Sequence, residues 1–385
     1  MTIPSSVRTL EKMAFGDCTG LTSIVIEDGI LSINAVFTGC TALKTVQLPS
    51  SLTDIGTAFS ECKSLESVVL GNGITKIPDK AFYNCSGLKE IVFGNALIDI
   101  GQQAFYGCKS LKSVNFGSNL KAIGNQAFWG CESLTAIVLP DSVTSVGKEA
   151  FYLCSGVTSL SIGKGLSSFG EAAFYFRSAL SELTVSPENT AFYVEQGCMI
   201  SKEMPNLLLA CGTAIIPNGV TVICNYAFAG LQNLTSIQIP DSVTVISKYA
   251  FFSCSSLTNI DFGNGSLSIG MYAFSGCSAL KTLRLTSNIK SFDSYGFTNC
   301  TSLEELYIEE GITSFSYCCF KGCTSLKKLY IPTSVRHIAN GLIEGASDDL
   351  KIYYAGTQSA WKTLTRYVTE EEIKNATVYF ESTGW

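Results

Sequence analysis

Apolar residues return along this chain at a nearly fixed interval. A phenylalanine, in most cases preceded by alanine, marks the interval, with steps of 22 or 23 residues and a single step of 54. A period of this length predicts a solenoid, in which each repeat is one coil that cannot bury its apolar face alone. The marker positions are Phe15, Phe37, Phe59, Phe82, Phe105, Phe128, Phe151, Phe174, Phe228, Phe251, Phe274, Phe297, Phe320 and Ile343.

Each repeat combines two shorter patterns. Ile237 and Ile239 flank a polar residue, which is the period of two expected of a strand with one buried face. Ala250 and Cys254 lie four residues apart, which places them on one side of a helical turn. In several repeats a glycine follows the isoleucine column, as Gly124 follows Ile123, and a proline follows the strand, as at Pro240. Both residue types suit the corners of a coil. We therefore predict an α/β coil with one short parallel strand per repeat.

The unit resembles the BspA type of leucine-rich repeat, found on bacterial surface proteins, which reads L-x-x-I-x-I-P-x-x-V-x-x-I-G-x-x-A-F-x-x-C-x-x-L. Residues 134–154 match this pattern almost letter for letter, and the resemblance covers residues 3 to about 346. It implies a curved leucine-rich-repeat solenoid of about 14 coils. It also implies a location at the cell surface or outside the cell.

Two interruptions suggest how the chain is organised. The long step contains 31 extra residues, about 186–216, and Gly197 and Pro205 separate its apolar pieces, which predicts an added hairpin. Beyond residue 347 the period stops, and Trp361, Leu364 and segment 377–380 predict a short helix and a closing strand. We expect a solenoid over residues 1–346 and an irregular C-terminal cap over residues 347–385. Because the repeat begins within the first residues, we expect the natural N-terminus to lie upstream.

The charge and composition of the chain argue against nucleic acid and the membrane interior as partners. The chain has 26 basic and 32 acidic residues, a net charge of −6, which argues against a surface for nucleic acid. No stretch approaches the ~18 consecutive apolar residues of a membrane helix, so we expect no membrane insertion by this segment. The first residues also lack the charged and apolar regions of a signal peptide.

Cysteine occupies one column of the repeat, three residues after the phenylalanine. One thiol per coil places neighbours about 4.8 Å apart with parallel side chains, whereas a disulfide needs converging Cβ atoms about 3.8 Å apart. We predict a buried ladder of free thiols rather than disulfides or a metal site, because no pair has the C-x-x-C spacing of zinc ligands. The column contains Cys18, Cys40, Cys62, Cys85, Cys108, Cys131, Cys154, Cys254, Cys277, Cys300 and Cys323.

Three residues near the insertion leave alternatives open. Cys198 and Cys211 flank the predicted hairpin, where a cross-strand disulfide is conceivable in an exported protein. Arg177 takes the cysteine column, where an unpaired buried charge is costly. Either the coil opens there, or Arg177 pairs with a carboxylate such as Glu171 or Glu195.

Catalytic motifs are not found. The chain has one histidine, His337, which lies at a turn where we expect it to be exposed, and hydrolytic triads require an imidazole. No phosphate-binding or dinucleotide-binding glycine motif is complete. Acidic residues cluster at Glu304, Glu305, Glu309 and Glu310, but their scatter along a strand and turn indicates a solvated face rather than a glycosidase pair. We expect neither an enzyme nor a cofactor.

Tyrosines form the one column pattern that suggests a binding site. Tyr307, Tyr330 and Tyr353 occupy the solvent-facing strand position in three successive repeats. We predict that their rings stack at ~5 Å on the exposed sheet face, with Glu305, Lys328 and Lys351 as a polar edge. Tyrosine is enriched in binding hot spots. The competing interpretation is that repeat duplication copied the tyrosines and that they only cover apolar surface.

Two functions fit these observations. The family resemblance implies a non-enzymatic surface or secreted protein that binds an extracellular protein or glycan and mediates adhesion or protein–protein interaction. The alternative is a structural spacer or self-association module of a surface protein, for which a low charge density and faces rich in Ser and Thr are equally suitable.

Overall fold

A computed structural model of the chain describes residues 1–366 and 376–382. The chain divides into two compact units, Met1–Tyr193 and Val194–Trp385. Short parallel strands build the coils of both units, about 16 turns in all with almost no helix. The leucine-rich-repeat solenoid predicted from the repeat is thereby confirmed, with slightly more coils than expected. The division at residue 346 stays a prediction.

The first unit contains two series of parallel strands. Strands of the predicted alternating type pair in register between successive coils, as where Leu160 lies between Ile137 and Leu183. A second series, absent from the prediction, follows the column of Ile100 and Ile123. In chain order the strands are β1 (Thr2–Ile3), β2 (Ser23–Ile26), β3 (Thr45–Gln47), β4 (Ser67–Val69), β5 (Lys76–Ile77), β6 (Glu90–Val92), β7 (Asp99–Ile100), β8 (Ala122–Ile123), β9 (Ala136–Leu139), β10 (Ser145–Val146), β11 (Ser159–Ile162), β12 (Ser168–Phe169), β13 (Glu182–Val185) and, spanning the point of division, β14 (Phe192–Glu195).

The second unit begins with the predicted hairpin. Its two strands are antiparallel, with Cys198 opposite Ala210, and the second of them joins the parallel series through Leu207 and Ile223. The elements are β15 (Cys198–Ser201), β16 (Asn206–Ala210), β17 (Val222–Ile223), β18 (Ser236–Gln238), β19 (Val245–Ile246), β20 (Asn259–Asp261), β21 (Leu267–Ile269), β22 (Thr282–Leu285), β23 (Ile289–Phe292), β24 (Glu305–Ile308), β25 (Ser314–Phe315), β26 (Lys328–Ile331), β27 (His337–Ile338), β28 (Lys351–Tyr354), helix α1 (Gln358–Leu364) and β29 (Thr377–Tyr379).

The segment around each phenylalanine consists of tight turns rather than the expected helical turn. In the coil of Phe128, Gln126 has a φ of 55° and Gly130 a φ of 68°, and two left-handed residues on either side of one phenylalanine cannot belong to a regular helix. The amides donate to the neighbouring coil instead, as from Phe128 to the Ala150 carbonyl at 2.7 Å. This side of the coil is therefore also cross-linked by backbone hydrogen bonds.

Phenylalanine rings and thiols fill the core. The buried Phe128 ring stacks between those of Phe105 and Phe151, at centroid distances of 5.0 and 5.2 Å. The Cys131 thiol donates to the Phe105 carbonyl oxygen of the previous coil at 3.3 Å. All the column cysteines are free, and all except Cys18 are buried. The ladder of free thiols is confirmed, with the addition that its thiols have acceptors.

Near the insertion, the structure shows an exposed Arg177 rather than a buried ion pair, and two free cysteines rather than a disulfide. Arg177 is exposed with a φ of 51°, and it forms no ion pair with any carboxylate of the described chain, so the coil opens there. Cys198 and Cys211 are both buried and free. Burial, as the largest cause, raises the pKa of the Cys198 thiol to about 12. Both cysteines therefore extend the apolar core.

Two elements predicted for the C-terminal segment are present in the structure. Helix α1 buries Trp361 and Leu364, and the Trp361 ring lies 5.4 Å from that of Tyr354. Strand β29 pairs in parallel with β28, with Val378 opposite Ile352. The helix and the closing strand are confirmed, whereas residues 367–375 and 383–385 of the predicted cap lie outside the described residues.

Candidate functional site

Three of the predicted site residues form a stacked ladder. Strands β24, β26 and β28 pair in register, so that Tyr330 lies between Tyr307 and Tyr353 on one face of the sheet. The ring centroids are 4.4 and 4.8 Å apart, and the ring planes differ by 5° and 13°. All three rings are half-buried. The stacking predicted from the sequence is confirmed, and the middle ring, Tyr330, has a ring stacked on each face.

A fourth ring was missed by the sequence analysis. Tyr379 lies opposite Tyr353 in β29, with its ring 5.1 Å away and inclined by 12°. Tyr379 lies 26 residues beyond Tyr353, so it does not follow the step of 22 or 23 by which the column was read. Strand β29 extends the sheet sideways, and Tyr379 is 42% exposed. We call the four residues Tyr307, Tyr330, Tyr353 and Tyr379 the tyrosine ladder.

A hydrogen-bonded carboxylate fixes one end of the ladder. The Tyr307 hydroxyl donates to Oε2 of Glu305 at 2.6 Å, and Nζ of Lys328 lies 2.7 Å from Oε1 of the same carboxylate. The Lys328 hydrogen bond is the largest cause that lowers the Glu305 pKa, followed by the bond from Tyr307. The same carboxylate raises the pKa of the Tyr307 hydroxyl well above its ordinary value. These three side chains are therefore preorganised without a ligand.

The basic residues near the two ends of the ladder differ in whether they form an ion pair. Arg284 precedes Tyr307 in the register, and its Nε lies 2.7 Å from Oε1 of Glu309. At the opposite end Lys351 is exposed, and its ammonium has no ion-pair or hydrogen-bond partner among the described residues. The structure thus places all six predicted site residues on neighbouring strands, but it joins only Glu305, Lys328 and Tyr307 by hydrogen bonds.

Two further aromatic ladders line the turns beside the phenylalanines. In the first unit Trp129 stacks between Tyr106 and Tyr152, at 5.7 and 4.2 Å. In the second unit Tyr249 stacks between Tyr226 and Tyr272, at 5.0 and 5.2 Å. Four tyrosines of the second unit have a left-handed backbone conformation, which is unfavourable for residues other than glycine. The stacking of their rings offsets this conformational cost. These ladders are consistent with a packing role.

The remaining chemical candidates do not assemble into a site. His337 is exposed on β27, as expected. Glu309 pairs with Arg284, and Glu310 accepts hydrogen bonds from Thr333. Within residues 1–366 and 376–382 no group of three metal-ligating side chains occurs, and no helix there is long and apolar enough to cross a membrane. Among the candidates, the tyrosine ladder is therefore the one whose side chains form an ordered, hydrogen-bonded arrangement at the surface.

Three solved structures of bacterial proteins have a similar fold. A leucine-rich cell surface protein of Faecalibacterium prausnitzii is 24% identical with a TM-score of 0.61, and the match covers 94% of this chain and 89% of that one. The pneumococcal vaccine antigen PcpA is 19% identical with a TM-score of 0.67, covering 94% and 90%. A leucine-rich repeat protein of Bacteroides ovatus is 23% identical with a TM-score of 0.50, covering 92% and 82%. A comparison with curated proteins gave no significant match.

The repeat itself identifies the family. The BspA type leucine rich repeat region matches in six copies, over residues 1–97, 75–198 and 221–351. These ranges span well over half of the chain and contain the repeat columns of phenylalanine and cysteine. The chain therefore belongs to the BspA type leucine-rich repeat family.

Proposed function

We propose that this chain is a non-enzymatic protein of the cell surface, or a secreted one, that mediates adhesion or protein–protein interaction through the tyrosine ladder. Family membership and the fold shared with bacterial surface proteins support this proposal. The partner is an extracellular macromolecule, and the contact uses the ladder together with Glu305, Lys328 and Lys351. Neither a metal nor a cofactor takes part.

One observation carries the proposal: the ladder is ordered before any ligand arrives. Stacking fixes the rings, and the bonds of Glu305 to Tyr307 and Lys328 fix the polar edge. A surface whose side chains are already immobilised loses little conformational entropy on binding, which favours affinity.

A triple substitution of Tyr307, Tyr330 and Tyr353 by serine tests the proposal. The assay is binding to a panel of purified extracellular-matrix proteins, after circular dichroism has shown that the variant is folded. We expect binding to fall at least tenfold, the equivalent of about 1.4 kcal/mol. Tyr83 also belongs to the first-unit turn ladder, because its ring stacks on that of Tyr106 at 5.0 Å. The matched control replaces Tyr83, Tyr106 and Tyr152 by serine and should retain binding. Unchanged binding in the first variant refutes the proposal.

A second function, self-association as a structural spacer, has its own support. Val69, Val92 and Val138 occupy the solvent-facing strand position in the first unit, and they are 64%, 44% and 61% exposed. Exposed apolar residues in one column are a feature of interaction surfaces. Sedimentation velocity over a range of concentrations distinguishes the two functions. A spacer associates through these valines, and their replacement by serine abolishes the association.

A further inference from the structure

The two ends of the tyrosine ladder differ in whether their hydroxyl and ammonium donors are already hydrogen-bonded. At the first end, the Tyr307 hydroxyl and the Lys328 ammonium are both engaged by Glu305. At the other end, the Tyr353 hydroxyl and the Lys351 ammonium have no hydrogen-bond or ion-pair partner in the part of the chain that the structure describes. We call Lys351, Tyr353 and Tyr379 the open end. Its donors are available to a ligand.

Ring geometry restricts what the ligand can be. Both faces of the Tyr330 and Tyr353 rings are covered by neighbouring rings at 4.4 to 5.1 Å, in planes that differ by at most 13°. A sugar that stacks on an aromatic residue needs a free ring face, which neither of these two rings offers, so stacking of a sugar is restricted to the terminal rings, Tyr307 and Tyr379. The exposed ring edges carry positive partial charge and a hydroxyl donor, and they favour anionic groups and carbonyl oxygens.

The lysine side chains beside the ladder also favour an anionic ligand. Lys351 lies opposite Lys328 in the register, and both share the face that carries Tyr330 and Tyr353, whereas Lys327 lies one residue before β26. Glu305 neutralises Lys328, but Lys327 and Lys351 have no carboxylate within ion-pair distance among the described residues. Within the described chain, the open end therefore presents one unpaired ammonium, that of Lys351, beside the unpaired hydroxyl of Tyr353. A partner with carboxylates complements it.

We propose that the open end binds a carboxylate of an extended acidic segment in a partner protein. This inference rests on the proposed function and specifies its ligand. The Lys351 ammonium and the Tyr353 hydroxyl hold the carboxylate, and the segment crosses the ring edges. The ladder spans three inter-strand steps, roughly 14 Å, so about four or five extended residues cover it.

The experiment uses labelled peptides of about eight residues, long enough to cross the ladder. One alternates Glu with Val, one Gln with Val, and one Lys with Val, and fluorescence anisotropy measures their binding to the full chain. We expect binding of the Glu peptide alone, weakened by raising the salt concentration above about 0.1 M. Lys351→Met and Tyr353→Phe should each weaken it by about three- to tenfold. Lys112→Met and Tyr83→Phe are the matched controls and should bind normally.

Several results would overturn the inference. They are failure of the Glu peptide to bind, equal binding of the Lys peptide, normal affinity in both open-end variants, or tighter binding of polygalacturonate at matched charge, which would indicate a glycan. The proposed function fails separately. If the triple serine variant loses its matrix partner while the Glu peptide does not bind, only the acidic ligand is wrong. If the triple variant keeps its matrix partner, the ladder is not the adhesive surface.

Discussion

Replacing Cys131 by serine tests how the core of the coils is built. The Cys131 side chain is completely buried, and its thiol donates to the Phe105 carbonyl oxygen at 3.3 Å. The same oxygen also accepts the Cys108 amide at 3.2 Å. A serine hydroxyl would lie farther from this acceptor, because a C–O bond is shorter than a C–S bond. The hydroxyl would therefore be buried with a poor hydrogen bond.

The magnitude follows from two opposing effects. Burial of a hydroxyl without a partner costs about 1–3 kcal/mol in proteins, and the Phe105 carbonyl offsets part of this cost by accepting a weak bond. The full range would apply only if the hydroxyl had no acceptor at all. With the acceptor in place, we expect Cys131→Ser to reduce local stability by about 1–2 kcal/mol.

A repeat array need not unfold in one step, so the assay should measure local opening. A bulky maleimide labels the neighbouring Cys108 and Cys154 only when their coils open, because both are buried. A loss of about 1–2 kcal/mol should increase their labelling rates by about 5- to 30-fold. Mass spectrometry of the labelled peptides measures these rates for each site.

The chain provides its own control in Cys18, which occupies the same column but is exposed. Cys18 should be labelled at once in the native protein. Cys18→Ser should change stability by less than about 0.5 kcal/mol. Equal effects of the Cys18 and Cys131 substitutions, or rapid labelling of the buried column in the native state, would show that the thiols are not part of the core.

Three further predictions concern the core, the insertion and pH. Phe128→Ala should cost about 3–5 kcal/mol, measured by local hydrogen exchange, because it empties a buried position between two stacked rings. Asn189→Leu should destabilise the coil by more than about 2 kcal/mol, because the buried amide of Asn189 donates to two carbonyls and accepts from two amides that would lose their partner. The Glu305 pKa is lowered by Lys328 and Tyr307, so its contribution to stability is complete above the ordinary carboxyl pKa and is lost as the pH falls through the lowered native value. Thermal unfolding over acidic pH should show this loss, and Glu305→Gln should abolish it.

The repeat made the coil predictable because its columns are set by burial. Phe128 and Cys131 lie at positions that are buried in most coils, so their spacing specifies both ladders. Trp361 and Leu364 were likewise recognisable from a helical spacing of apolar residues. In each case a single face must be buried, and the period of the apolar residues reveals it.

Features that depend on the backbone could not be read in the same way. Gln126 and Tyr249 both have left-handed φ values at the same repeat position, yet neither residue type signals this conformation as glycine would. The acceptor of the Cys131 thiol is a main-chain carbonyl, which has no sequence signature. Tyr379 was missed for another reason. The tail changes the repeat length before β29, so a column counted in fixed steps ends at Tyr353.

The bonds from thiol to carbonyl also bear on how such a chain can change its length. The Cys62 thiol reaches the Phe37 carbonyl across a separation of 25 residues, and the Cys85 thiol reaches Phe59 across 26. The contact is therefore kept when a coil is one residue longer, because the added residue lies in a corner outside the segment from phenylalanine to cysteine. Whole coils could be duplicated or deleted with each new junction recreating the same bond. A gene encoding this chain could thus gain or lose reach in steps of one strand spacing, about 4.8 Å, without redesigning its interior.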